Sequence, residues 1–380
     1  MERNVKHDLG RLLTREREAH RALGATLERQ PARVEAMRDF AFAWQTNSMA
    51  LPTARNRHPF VLPDGRELRR LNTRQRAELY EALGYLDPNL LFAAPGGSMA
   101  GFVVDGLGDE ATRERFHAHF EGELCWTFFA LSEPAVGSDA SRLAARARKV
   151  DGGYLLDGEK YFIGNGALAP LGVVFARTND GPLGLEAFLL ETRGLAGFSA
   201  RPLAPSGCPA CNFAHLKLDG VFVPDSHRLG GHLKPTERFS RSALLTFDAL
   251  RPCVAAAALG VAASLLDRAE ETFRADARWL RAGRARLEAM RGLLFACCDD
   301  FDQGRRAGRR AGLMKAAATA LAEALALETL HRAPAGAALD WPWLAKGWRD
   351  VKAFEYTEGT RFIHWQNAAA GFQEREHGAR

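Results

Sequence analysis

The chain has 380 residues, 47% of them hydrophobic and 26% charged, which supplies apolar surface for two or three domains with sizeable cores. Its formal net charge of +5 comes from arginines scattered along the chain, so no basic arm is present and no nucleic-acid-binding motif accompanies the charge. No apolar run approaches the ~18 residues that cross a bilayer, and Met1–Arg21 lacks an apolar signal core, so a cytoplasmic protein with no membrane association is expected.

From residue 1 to about 123 apolar residues recur at helical spacing, as in 33–44 and 74–83, with Asp87-Pro88 breaking the pattern. This predicts an N-terminal helical domain. Residues 124–235 change to short alternating runs separated by Gly and Asp, at 153–156, 172–177, 186–191, 215–218 and 221–224, which predicts a β-barrel-like or sandwich-like middle domain. Residues 236–380 return to Ala-rich helical sequence up to about Leu330, resuming around 349–366. The expected class is therefore α+β and multi-domain: helices, a sheet, then helices.

The cysteines are too few and too scattered for a disulfide framework. Cys208-Pro209-Ala210-Cys211 forms a CxxC with His215 close by, but no second ligand pair has zinc-like spacing, so ordinary loop cysteines are expected and no metal site. Cys297-Cys298 lies in a helical run, where burial is the default.

Residues 131–166 carry the densest chemical signal. Leu131-Ser132-Glu133-Pro134 and Gly137-Ser138-Asp139 are followed, across a strand-rich run, by Gly158-Glu159-Lys160-Tyr161-Phe162-Ile163-Gly164-Asn165-Gly166. Sharp turns of small residues expose backbone N–H groups and hydroxyls able to hold a phosphate or the edge of a heterocycle. Farther on, Glu358 in Tyr356-Thr357-Glu358-Gly359-Thr360 stands eight residues after Asp350 of Arg349-Asp350-Val351-Lys352.

In this order and spacing, the segments resemble the TEPxxGSD, GxKxWITNG and RDAKxxxIxEGT signatures of the acyl-CoA dehydrogenases. Phe247-Asp248-Ala249-Leu250-Arg251-Pro252 resembles the start of that family's first bundle helix. The resemblance implies an N-terminal helical domain, a middle β-domain and a C-terminal four-helix bundle binding FAD. Leu131, Ser132, Gly137, Ser138, Phe162, Ile163, Gly164 and Thr360 would then contact the flavin cofactor. Glu358 would be the base that removes a proton α to a thioester carbonyl, with the β-hydride passing to flavin N5. Such a carboxylate must be desolvated to become basic enough. The Glu358 N–H and a ribityl hydroxyl would polarise the carbonyl. Gly359 lets the backbone approach the ligands. Asp248 and Arg251 fall where relatives meet the pantetheine arm or line the acyl site; an ion pair internal to the bundle is the equal alternative.

Three departures stand beside these agreements. Gly164 replaces a Thr or Ser whose hydroxyl reaches flavin N5, leaving space that would admit dioxygen, as in flavin-dependent oxygenases on this fold, or be filled by water or a neighbour. Asp276–Gly283 stands in place of the RxxFG segment, and Leu330–Gly336 in place of QxxGGxG. Both family segments clasp a neighbouring subunit's FAD. The resemblance thus implies an acyl thioester substrate on CoA or an acyl carrier protein, and an electron-transfer flavoprotein as acceptor. It leaves open a homodimer, a hetero-oligomer with a related subunit, and a non-redox or FAD-poor role within such a hetero-oligomer.

Overall fold

The structure is a computed structural model that describes residues 16–48, 56–62, 64–137, 142–181, 183–241, 243–305 and 308–378. Helices α1 (Arg17–Arg29), α2 (Ala43–Ser48), α3 (Thr73–Leu86), α4 (Pro88–Phe92), α5 (Ser98–Leu107) and α6 (Glu110–Ala118) come first, with a small hairpin of β1 (Phe60–Val61) and β2 (Glu67–Leu68) among them. Asn72 accepts from the Gln75 N–H while the Gln75 side chain accepts from the Asn72 N–H, and this reciprocal cap starts α3. Asp87 ends α3 and caps α4, whose Pro88 sits at the first helical position, so the predicted break is a corner between two helices. The helix expected over 33–44 does not form as one piece. A 3-10 turn at Val34–Asp39 precedes α2, and the apolar residues there pack without a continuous ladder.

The sheet has seven strands: β3 (Thr127–Ala130), β4 (Arg146–Val150), β5 (Gly153–Ile163), β6 (Leu171–Arg177), β7 (Leu185–Glu191), β8 (Phe198–Pro202) and β9 (Ala214–Pro224). Their order is β3-β6-β4-β5-β9-β8, with β7 on β6. β3 runs parallel to β6, whereas β5, β9 and β8 form antiparallel neighbours. β4 meets β6 through the single pair Arg146–Arg177, so the sheet turns sharply there and curls. The runs read separately at 215–218 and 221–224 form one strand, which stays on β5 across a register shift at Asp219-Gly220, where the Gly220 N–H donates to Asp157 Oδ1 at 2.8 Å. Inside the curl pack Phe128, Leu156, Val174, Phe188, Leu216 and Val221, while α5 and α6 cover the other face of β6 and β7.

The C-terminal helices are α7 (Pro235–Arg241), α8 (Ala243–Phe273), α9 (Ala277–Asp302), α10 (Gly308–Arg332), α11 (Ala337–Asp340), α12 (Trp343–Tyr356) and α13 (Arg361–Gly378). α8 begins a turn earlier than its resemblance suggested and carries Pro252 within it. By length and composition its Thr246–Phe273 stretch could cross a membrane, at mean hydropathy 1.7, which corrects the sequence reading that no run was apolar enough. Here 89% of that window is buried among other helices. α3 crosses α8 so closely that a Cβ on Gly84 would lie 2.2 Å from the Ala257 carbonyl oxygen, and one on Gly260 2.0 Å from that of Glu81. Leu79, Leu83, Ala258, Leu266, Leu294 and Leu325 therefore share one core, joining the first helices to the last.

Candidate active site

The two motif segments at the sheet are held together by a buried ion pair. Lys160 is fully buried on β5, and its ammonium lies 2.8 Å from Glu133 Oε1 and 3.0 Å from the Leu131 carbonyl oxygen. Glu133 also accepts from the N–H groups of Ala144 and Ala145, and the Lys160 cation holds its carboxyl below the usual range against the opposing effect of burial. The Tyr161 N–H completes the link to the Ser132 carbonyl at 2.9 Å. Strand β5 then loses register between Lys160 and Ile163, and the chain turns through left-handed Phe162 and Asn165. A bulky residue rarely adopts that conformation, and here it puts the Phe162 ring on the surface at 62% exposure.

This turn presents what a flat aromatic ligand needs. Phe162 is an exposed ring, and Asn165 Oδ1 is enclosed with no hydrogen-bond partner among the described residues. Gly164 is open on its side-chain face, where a Cβ would meet only the Cys211 carbonyl oxygen at 3.5 Å. Ser132 is half-buried and Gly137 exposed at the neighbouring segment. Leu131 and Ile163 contribute backbone at most, since both side chains are buried in the cores on either side of the sheet. Ser138 lies outside the described residues.

The CxxC loop links this turn to the bundle. The Asn165 N–H donates to the Cys211 carbonyl at 2.9 Å, and the Cys208 N–H donates to Asp350 Oδ1 at 2.8 Å. Both thiols are buried and pushed well above their ordinary acidity range, chiefly by desolvation, so these are packing cysteines. Asp350 is itself buried beside Lys346, which also pairs with Asp87. Cys297 and Cys298 are likewise buried within α9.

Eight residues past Asp350, between α12 and α13, the chain turns through Glu358 at φ 56° and Gly359 at φ 100°. Lys315, fully buried on α10, donates to the carbonyls of Glu355 at 2.7 Å and Gly359 at 2.6 Å, one on each side of Glu358. Arg251 on α8 donates to the Glu358 carbonyl at 3.4 Å, pairs with Asp248 at 3.3 Å and stacks on Phe247. Phe247 meets Phe129 of β3 edge to face, 5.8 Å between centroids, so these residues lie where the sheet touches the bundle. The Asp248–Arg251 ion pair and a place beside Glu358 thus coexist.

The Glu358 carboxylate has an enclosed Oε2 with no partner among the described residues. Burial pushes its acidity up to about pKa 8, against the lowering influence of Arg251 and Lys315. Among the described residues no backbone carbonyl accepts the Glu358 N–H. His364 is buried beneath Gly359, where a Cβ would come within 3.1 Å of its ring, and burial lowers it to about pKa 4, so it is neutral. Thr360 stands at the start of α13 and its carbonyl accepts the His364 N–H. An enclosed carboxylate of raised pKa, with an unpaired backbone N–H beside it and two cations behind it, is equipped to take a proton from carbon.

Residues 128–221 match the model of the acyl-CoA dehydrogenase middle domain, and residues 240–372 that of its C-terminal domain. A short-chain-specific acyl-CoA dehydrogenase of Megasphaera elsdenii is 31% identical over 275 residues, covering 68% of this chain and 70% of that one. The chain belongs to the acyl-CoA dehydrogenase family. An L-prolyl-[peptidyl-carrier protein] dehydrogenase of Serratia sp. is 30% identical over 194 residues, 47% of this chain, and the match spans about half of that relative's length, 49%. In fold the chain resembles the FAD complex of PigA at TM-score 0.84 over 98% of both chains with 22% identity.

The departures from the family signatures are visible as structure. Arg274–Asp276 makes a tight turn between α8 and α9, and Asp276 caps α9 through the Trp279 N–H. Trp279 and Leu280 then pack inward, the indole donating to Glu328 at 2.9 Å, while Arg278 and Arg281 stay exposed. Pro334–Gly336 turns the chain from α10 into short α11. Sequence reasoning missed Lys315, His364 and the bridging roles of Lys160 and Glu133. A lone lysine within an alanine-rich helix was the available signal for Lys315.

Proposed function

We propose that the protein is an FAD-dependent dehydrogenase that introduces an α,β double bond into an acyl thioester carried by CoA or a carrier protein. One observation carries this reading: Glu358 has an enclosed carboxylate oxygen, Oε2, with no partner among the described residues, on a left-handed turn held at the Glu358 carbonyl by Arg251 and on both flanks by Lys315. FAD, when bound, supplies the acceptor for the β-hydride. Phe162, Asn165, Gly164, Ser132 and Gly137 fit its ring and diphosphate edges, since the turn offers an exposed aromatic face, an unsatisfied amide oxygen and small residues.

The chain's own part is proton chemistry. Glu358 takes the α-proton, its N–H polarises the thioester carbonyl, and burial raises its basicity. Arg251 and Lys315 limit that rise, so ionised Glu358 remains accessible near neutral pH. The enzymatic relatives support the same assignment: the Serratia protein carries the name of a carrier-protein-linked dehydrogenase, and the Megasphaera protein that of an acyl-CoA dehydrogenase. An electron-transfer flavoprotein as acceptor and assembly as a homodimer or with a related subunit belong to the same proposal. FAD-loaded protein mixed anaerobically with a panel of acyl thioesters tests it. Reduction of the flavin by at least one thioester, lost in Glu358→Gln, is expected; no reduction by any thioester would leave the FAD-poor partner role.

A further inference from the structure

The hydrogen bonds that Lys315 and Arg251 make to the Glu358 turn all lead back into the bundle. Lys315 of α10 draws on the carbonyls of Glu355 and Gly359, and Arg251 of α8 on that of Glu358. What stands against this pull is the ring of His364, in the first turn of α13. His364 is 2% exposed, and its ring lies between two positions without a side chain. On one side, a Cβ at Gly359 would come 3.1 Å from ring Cε1 and 3.2 Å from Nε2. On the other, a Cβ at Gly312 of α10 would come 2.7 Å from Nδ1, so the ring fits there only because residue 312 is glycine. Gly312 and Lys315 are both buried and three residues apart, hence on one face of α10. That face pulls the turn inward through Lys315 and props it outward through the imidazole. The ring is uncharged, since burial and the neighbouring Arg251 and Lys315 disfavour its protonation, so the prop adds no third cation beside Glu358.

Resting on the dehydrogenase reading of Glu358, we infer that His364, seated in the slot at Gly312, is a positioning residue that sets how far the Glu358 carboxylate stands from the bundle. A thinner spacer lets the turn sink toward Lys315 and Arg251, and a thicker one lifts it away. The charged groups around the spacer are Arg251 on α8, Lys315 on α10, Glu355 on α12 and Arg361 on α13, with Glu358 itself on the turn. Arg251 and Lys315 are the cations that favour ionised Glu358, so sinking strengthens their effect and lifting weakens it. Proton abstraction tolerates little of either movement, because a misplacement of ~1 Å costs on the order of a hundredfold in rate.

His364→Asn, Gly312→Ala and the double variant test this. Flavin reduction in each FAD-loaded protein is followed in single turnover across pH, with a thioester that reduces the wild type, beside titrations of FAD and of that thioester. Each single variant should reduce its flavin about tenfold more slowly or worse, with both affinities within about threefold of wild type. The pH midpoint of the rate should fall in His364→Asn and rise in Gly312→Ala. In the double variant the shorter side chain makes room for the added methyl, and about a third or more of the wild-type rate should return together with its midpoint. The cofactor-free proteins give a second reading: the pH at which stabilisation by added Glu358→Gln levels off should move in the same two directions. Wild-type rates in His364→Asn, equal midpoints in all the proteins, or a double variant no faster than Gly312→Ala would overturn the inference and leave His364 as packing. His364→Asn decides alone if Gly312→Ala does not fold. Should no thioester reduce the wild-type flavin, the dehydrogenase reading fails, while the cofactor-free midpoints still decide whether His364 places the carboxylate.

Discussion

The Lys315 ammonium donates to the Gly359 carbonyl oxygen at 2.6 Å, so a cation buried in the bundle grips the residue that follows Glu358. Its second bond, to Glu355, grips the turn from the other side. Glu355 in turn accepts from the Arg361 N–H at 2.7 Å and from Thr319 at 3.2 Å, which ties the start of α13 to α10. Position and charge are thus set together. Lys315→Met leaves two carbonyls unsatisfied and should cost about 2–4 kcal/mol in urea unfolding. It should also raise the midpoint of the rise of kcat/KM with pH, because the Lys315 cation favours ionised Glu358. A loss of stability with no movement of that midpoint would make Lys315 structural only.

Glu358 carries a pH signature visible without substrate. Its folded pKa is raised to about 8, so the folded state keeps a proton that the unfolded chain releases at ordinary carboxylate pH. The protonated carboxyl therefore costs nothing at low pH, and stability is lost as pH climbs from about 4.3 toward the folded value. Glu358→Gln should stabilise the protein by on the order of 1–3 kcal/mol at pH 8 and by little at pH 4.5. Unfolding curves of both proteins across this range check the sign.

Two glycines of the site make opposite predictions. A Cβ at Gly164 meets only the Cys211 carbonyl at 3.5 Å, so Gly164→Thr should fold with a stability change of about 0.5 kcal/mol or less and place a hydroxyl at the ring-binding turn. At Gly359 the backbone is left-handed and a Cβ would press on His364 and Ile363 at 3.1 Å. Gly359→Ala should cost roughly 1–3 kcal/mol and slow turnover by displacing Glu358. Thermal unfolding and steady-state kinetics of the pair distinguish them.

Lys160→Met should be the most damaging change at the sheet. It strands Glu133 in the interior with, among the described residues, the Ala144 and Ala145 N–H groups as its remaining partners, at a cost of about 3–5 kcal/mol. Because the pair joins the Ser132 segment to the Phe162 turn, FAD affinity should fall along with stability. Fluorescence titration with FAD at a temperature where the variant is folded measures this.

Much of the site was legible because its chemistry sits at turns, and turns are written in Gly, Asn and acidic residues. Glu358-Gly359 and the 158–166 segment are of this kind, and both adopt the left-handed conformations that such residues mark. Strands β6 and β7 were legible by their apolar runs. Strand β4 was missed because Arg146, Arg148 and Lys149 give it a polar face, and β8 because Arg201-Pro202 breaks the pattern. The bridging cations were hidden for another reason. Lys160 shares the inward face of β5 with Tyr154 and Leu156, and Lys315 that of α10 with Ala311 and Thr319, but a lysine's charge argues for a surface, and the carbonyls and carboxylate folded around them explain their burial.

The visible spectrum of the FAD-loaded protein under anaerobic addition of acyl thioesters tests the central claim most directly. The account predicts that the flavin absorption band bleaches with wild-type protein and persists in Glu358→Gln, although the variant still binds FAD and thioester. Bleaching of equal extent and rate in Glu358→Gln would contradict it, because the proton would then be leaving to a group other than this carboxylate.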